Sequence, residues 1–149
     1  MAKFVYEMQN LLNLKEKLEE QKKATFGMAK SKLDEEQKRL EDLYEKKAGY
    51  QKNLVECFSS KLDLRNIKKN EEALKIVQIK IEQQSIVVKQ AERQVELARI
   101  QLTEAMKERK THEKLREKAF EVFKSELLHE EGKEVDELVS FKYGNAKGE

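Results

Sequence analysis

IKKNEEALKIVQIKIEQQSIVVKQAERQVELARIQLTEA, residues 67–105, decides the fold. Its larger apolar residues recur every seventh position, as Ile67, Leu74, Ile81, Val88, Val95 and Leu102. Val77, Gln84, Ala91, Ala98 and Ala105 interleave with them. This is the 3-4 spacing of a coiled-coil seam, with large residues at one core position and mostly alanine at the other. Such a helix cannot bury its stripe alone and needs a partner helix.

The first half of the chain supplies one. Phe4, Met8, Leu11, Leu18, Phe26, Ala29, Leu33, Leu40, Leu43, Tyr50, Leu54 and Cys57 also follow 3-4 spacing. A four-residue step from Lys22 to Phe26 reads as a stutter, which relaxes the supercoil locally. Folding the chain back near Leu62 sets Leu18 opposite Ala105, Phe26 opposite Ala98 and Leu33 opposite Ala91. In the alternate layers Ala29 faces Val95, Glu36 faces Val88, Leu43 faces Ile81 and Tyr50 faces Leu74. A parallel homodimer would instead stack alanine on alanine and leave thin layers. Cores fill to near-crystal density, so the large-against-small arrangement wins. The expected fold is all-α: a long antiparallel two-helix coiled coil, an α-hairpin within one chain, monomeric on its own.

Composition narrows the class. Asp, Glu, Lys and Arg make up 40% of the residues, against about a quarter in an ordinary globular domain. Tryptophan and proline are absent and aromatics are few. The chain has too little apolar material for a compact core, yet its periodicity argues against plain disorder. Long solvated helices reconcile the two, and arms of roughly 55 residues give a rod on the order of 80 Å.

The reading predicts one domain over residues 1–149. Helix one spans about 4–58, the turn about 59–66, helix two about 66–142, and a frayed tail 144–149. Gly27 and Gly49 are either soft points of helix one or positions that merely tolerate glycine.

Charge is nearly balanced, 31 basic residues against 29 acidic. That argues against the basic stripe of a duplex binder, so no nucleic-acid partner is expected. No stretch approaches the length of a membrane span. No apolar signal core opens the chain, and a lone cysteine fits a reducing compartment; the expected location is cytoplasmic. His112 and His129 are too far apart to share a metal, and His112 reads as a solvated seam residue. Cys57 lies on the seam without a partner base, and no phosphate-binding glycine loop occurs. Neither catalysis, nor a cofactor, nor a metal is expected.

Two surfaces exceed a plain coiled coil. With the fold-back near Leu62, the start of helix one lies beside residues near Phe120. Leu127, Leu128, Val135, Leu138, Phe141 and Tyr143 then protrude beyond it, to enter a partner or fold back on the N-terminal turn. Ile76, Ile79, Ile86, Val87 and Ile100 lie off the seam. They are either scattered exposed aliphatics or a second apolar stripe available for docking. The basic residues Lys107, Arg109, Lys110, Lys114, Arg116 and Lys118 interleave with glutamates and read as a solvated face.

The opening Met1-Ala2-Lys3-Phe4-Val5-Tyr6 with Leu11-Leu12 resembles the start of FliJ-type flagellar export proteins. So do Arg39-Leu40-Glu41-Asp42-Leu43 and Tyr50 in the charged first helix. Lys133-Glu134-Val135-Asp136-Glu137-Leu138, with Phe141 and Tyr143, is similar to that family's C-terminal box. The resemblance covers essentially the whole chain, and the box carries most of its specificity.

The resemblance implies a non-enzymatic component of the bacterial flagellar type III export apparatus, shaped like the gamma stalk of rotary ATPases. Its implied partners are the export ATPase hexamer, the cytoplasmic part of the membrane export gate, and export chaperones. Its implied location is the cytoplasmic face of the inner membrane. By position, Phe4, Leu11, Leu127, Val135, Leu138 and Phe141 would face the ATPase. Leu43, Tyr50, Ala73, Val77 and Gln84 correspond to the family's gate-binding region, where Lys46 and Lys80 depart from its apolar pattern. Ile79 and Ile86 are the better solvent-facing candidates there. The competing readings are a self-associating structural coiled coil and an RNA-binding helical hairpin.

Overall fold

Two helices account for almost all of the chain. The computed structural model describes residues 2–59 and 63–147, with α1 at Gln9–Ser59 and α2 at Leu64–Lys147. No strand occurs among the described residues. The helices fold on each other as the expected α-hairpin. Two compact units divide it: residues 21–103 form one, and residues 1–20 with 104–149 the other.

In the unit of residues 21–103, Ile67, Val77, Ile81, Val88, Ala91 and Ala98 are buried along α2. Phe26, Ala29, Leu33, Leu40, Leu43, Tyr50, Leu54 and Cys57 face them from α1 and are half-buried. The alanines are covered more completely than their large partners because a short side chain sits beneath the reach of a long one. No described side chain falls below 2% exposure, since two helices alone cannot enclose a residue on every side.

Polar pairs fix the register in this unit. Lys22 Nζ donates to Gln101 Oε1 at 3.4 Å and Lys47 Nζ to Gln78 Oε1 at 3.0 Å. Gln84 Nε2 reaches both the Glu36 carbonyl at 2.9 Å and its carboxylate at 2.5 Å. Arg39 closes the layer with a 3.0 Å bond to the other Glu36 oxygen. Asn70 Nδ2 approaches Cys57 Sγ at 3.9 Å. Every pair lies within about a turn of the register that sets Glu36 against Val88.

The other unit overturns part of the sequence reading. Leu12 is 3% exposed whereas Leu11 is 37% exposed, and Met8 lies in the open. The α1 seam runs Leu12, Lys15, Glu19, Lys22, Phe26, Ala29 in unbroken 3-4 steps, with no stutter. Following apolar residues alone creates the slip, because Lys15, Glu19 and Lys22 occupy core positions. They are accommodated by pairing. Lys15 Nζ donates to Glu108 Oε2 at 2.9 Å. Arg109 binds the buried Glu19 carboxylate and, at 2.9 Å, both oxygens of Glu113. Those hydrogen bonds, to Glu113 first and Glu19 second, hold the Arg109 pKa above the ordinary arginine value. A raised pKa means the pairing contributes below arginine's unfolded pKa and is lost only as pH rises past the folded one. It therefore persists through the neutral range.

The helix bounds have local causes. α1 begins at Gln9 rather than Phe4, because residues 2–6 leave the helix to bring Phe4 onto α2. The Tyr6 carbonyl accepts the Gln9 N–H at 3.1 Å. α2 begins at Leu64, two residues before the expected start, because Asp63 caps it. The Asp63 Oδ1 accepts the Arg65 N–H and its carbonyl the Ile67 N–H, both at 3.1 Å. The expected fold-back at Leu62 lies outside the described residues, as do Ser60 and Lys61. α2 continues through Gly144 to Lys147, where a frayed tail was expected. No glycine among the described residues adopts positive φ, so Gly144 does not act as a cap.

The Glu36 layer yields a test. Glu36→Leu alone removes the carboxylate that Gln84 and Arg39 share, leaves Gln84 only its bond to the residue-36 carbonyl, and should cost about 1–2 kcal/mol in urea unfolding. Adding Gln84→Leu should recover most of that loss, because a matched apolar layer needs no hydrogen bonds. Simple additivity of the two changes would contradict the pairing.

Candidate partner-binding surfaces

α2 loses its cover toward the C-terminus. Phe4 packs on Phe120 and Phe123 with ring centroids 5.1 and 5.5 Å apart, and the Arg116 guanidinium lies 5.8 Å over the Phe4 ring. This aromatic cluster fastens the N-terminal segment. Leu127 is half-buried, and every described side chain from Leu128 to Gly144 is exposed. Leu128, Val135, Leu138, Val139, Phe141 and Tyr143 are the large apolar members of that stretch. Glu126, Glu130, Glu131, Glu134, Asp136 and Glu137 surround them, against His129, Lys133 and Lys142. The result is a run of bare apolar side chains interspersed with mostly acidic residues.

The six residues expected at this end therefore separate. Val135, Leu138 and Phe141 are free to meet a partner, and Leu11 is partly so. Phe4 and Leu127 are engaged within the chain.

The gate-region set divides in the same way. Val77 is 5% exposed and belongs to the hairpin core. Leu43, Tyr50 and Ala73 are half-buried along the seam, and Gln84 is bound to Glu36. Ile79 and Ile86 are exposed, as are Ile76, Leu97 and Ile100. Sequence reasoning passed over Leu97, Met28, Val55, Phe58 and Leu64, all exposed. Val55 and Phe58 each follow a seam residue by one position, and that offset is the signal that marks them.

No described group of His, Cys, Asp and Glu side chains is arranged to hold a metal ion. His112 is half-buried rather than solvated, and its Nδ1 is enclosed without a hydrogen-bond partner. On the open face, the Arg99 hydrogen bond holds the Glu96 carboxyl below the usual carboxylate range. No helix among the described residues is long and apolar enough to cross a membrane.

A hairpin that satisfies its seam internally and leaves apolar surface bare along α2 defines a coiled-coil protein of the interaction type. A family model described as the flagellar FliJ protein matches residues 4–148, and the chain belongs to that family. It is accordingly a component of flagellar protein export. No curated relative and no solved structure gives a significant match.

The Phe4 cluster should be measurable. Phe4→Ala removes the aromatic contacts and should lower stability by about 1–3 kcal/mol. Hydrogen exchange should show faster exchange in residues 6–12 and unchanged protection in residues 81–98. Unaltered exchange near Gln9 would exclude Phe4 as the anchor.

Proposed function

We propose that the chain is a non-enzymatic stalk that joins the flagellar export ATPase to the membrane export gate. The exposed end of α2 enters the centre of the ATPase hexamer. Off-seam residues led by Ile79 and Ile86 face the cytoplasmic part of the gate, and export chaperones are further cargo of the same surface. Such a protein works at the cytoplasmic face of the inner membrane.

The observation that carries this reading is the uncovered stretch from Leu128 to Tyr143. A helix face with Leu138 and Phe141 in water is unfavourable alone and becomes favourable inside an apolar collar. Its acidic flanks call for a collar lined with basic residues. Family membership supports the export setting. The intrachain seam favours this over self-association, because the large-against-small layers are already filled.

A pull-down of the export ATPase with the full chain, a truncation after Leu128, and the Leu138→Asp/Phe141→Asp variant tests the reading. The full chain should retain the ATPase, and both variants should lose it while keeping their helical circular dichroism. ATPase capture at full strength by the truncated chain would refute the assignment.

A further inference from the structure

We propose that the hairpin end formed by residues 46–59 and 63–69 binds the surface of an anionic lipid bilayer. Lys46, Lys47, Lys52, Arg65, Lys68 and Lys69 stand there against Glu56 and Asp63, and the α2 turns that lead up to the partner of Lys47 add Glu71, Glu72 and Lys75. The net over these residues is +3 against +2 for the whole chain, so the remaining residues together are net acidic. Lys46, Lys52, Arg65, Lys68 and Lys69 are exposed, and their side chains enter no ion pair among the described residues. Lys47 is half-buried on Gln78 and contributes charge only.

Apolar side chains accompany this charge. Val55, Phe58 and Leu64 are 68%, 61% and 75% exposed. Val55 and Phe58 are three residues apart and share a face of α1 in its last turns. Leu64 opens α2 directly after the Asp63 cap.

A lipid surface fits this arrangement better than a protein groove. Helix-in-groove recognition needs apolar residues repeating over two or more turns, and here the α1 face stops after one. An interface with lipid requires only a few apolar side chains at acyl depth and basic residues at the level of the phosphates. Charge complementarity selects anionic headgroups. The exposed apolar stretch after Leu128 lies among carboxylates, so the same bilayer would repel it. The inference stands apart from the ATPase and gate contacts proposed above.

Vesicle co-sedimentation of the full chain tests it. The probes are phosphatidylcholine vesicles and vesicles with phosphatidylglycerol replacing a third of that lipid. The chain should pellet with the anionic vesicles only, and rising salt should release it. Lys52→Glu with Lys69→Glu should lower partitioning by about tenfold or more. Phe58→Ser should weaken it without altering helicity, and truncation after Leu128 should leave it intact. Equal binding to neutral vesicles, no binding to either, or indifference to the charge reversal would overturn the proposal. So would loss of binding on truncation, or capture of single-stranded RNA without capture of vesicles.

Discussion

The fold depends on large side chains of α1 covering alanines of α2. Ala91, Ala98 and Ala105 are among the most buried residues of the chain, yet each has little apolar surface of its own. Their role is to let the helices approach closely enough for Leu33 and Phe26 to lie across the seam, and at the Ala105 end the α1 core position belongs to the buried Glu19 rather than to Leu18. A two-helix assembly has no third layer to seal it, so each layer must be filled from the facing helix. Alanine facing alanine would leave a gap at every such layer. The pattern therefore favours one antiparallel partner, and the hairpin supplies it from the same chain.

Polar layers add what alanine packing cannot. Heptads are alike, and sliding one helix past the other by seven residues would again bring large residues against small ones. Glu36 with Gln84, and Glu19 with Arg109, do not survive such a slide. Each pair holds buried hydrogen-bonding groups that would lose their partners at the wrong register. These layers are modest in net energy and strong in discrimination. A single register fixes which side chains stay outside the seam, which connects the core to the proposed role.

The α2 seam from Ile67 to Ala105 was legible apart from the half-buried Asn70, because almost every other core position there is apolar. The intrachain pairing was legible for the same reason. At the start of α1 the reading failed at Leu11 and at the stutter, where the core positions are Lys15, Glu19 and Lys22. Charged residues in a seam look like surface until their partners Glu108, Arg109 and Gln101 are in place. The start at Gln9 was hidden because Phe4 is held by Phe120 and Phe123, a contact remote in sequence. Of the candidate partner-binding residues, the exposure of Ile79 and Ile86 was legible from periodicity, and that of Val135, Leu138 and Phe141 from the overhang of α2 past the start of α1. Val77 and Gln84 carry a resemblance to the family's gate-binding region, and here both are engaged inside the hairpin.

Intrachain pairing is the claim on which the exposed surfaces rest, because a seam shared between chains would redistribute all of them. It is tested most directly by disulfide trapping of Lys22→Cys with Gln101→Cys in a Cys57→Ser background. Oxidation should give a cross-linked single chain of about the native 17.6 kDa mass, independent of protein concentration. A disulfide-linked dimer as the main product would contradict the account.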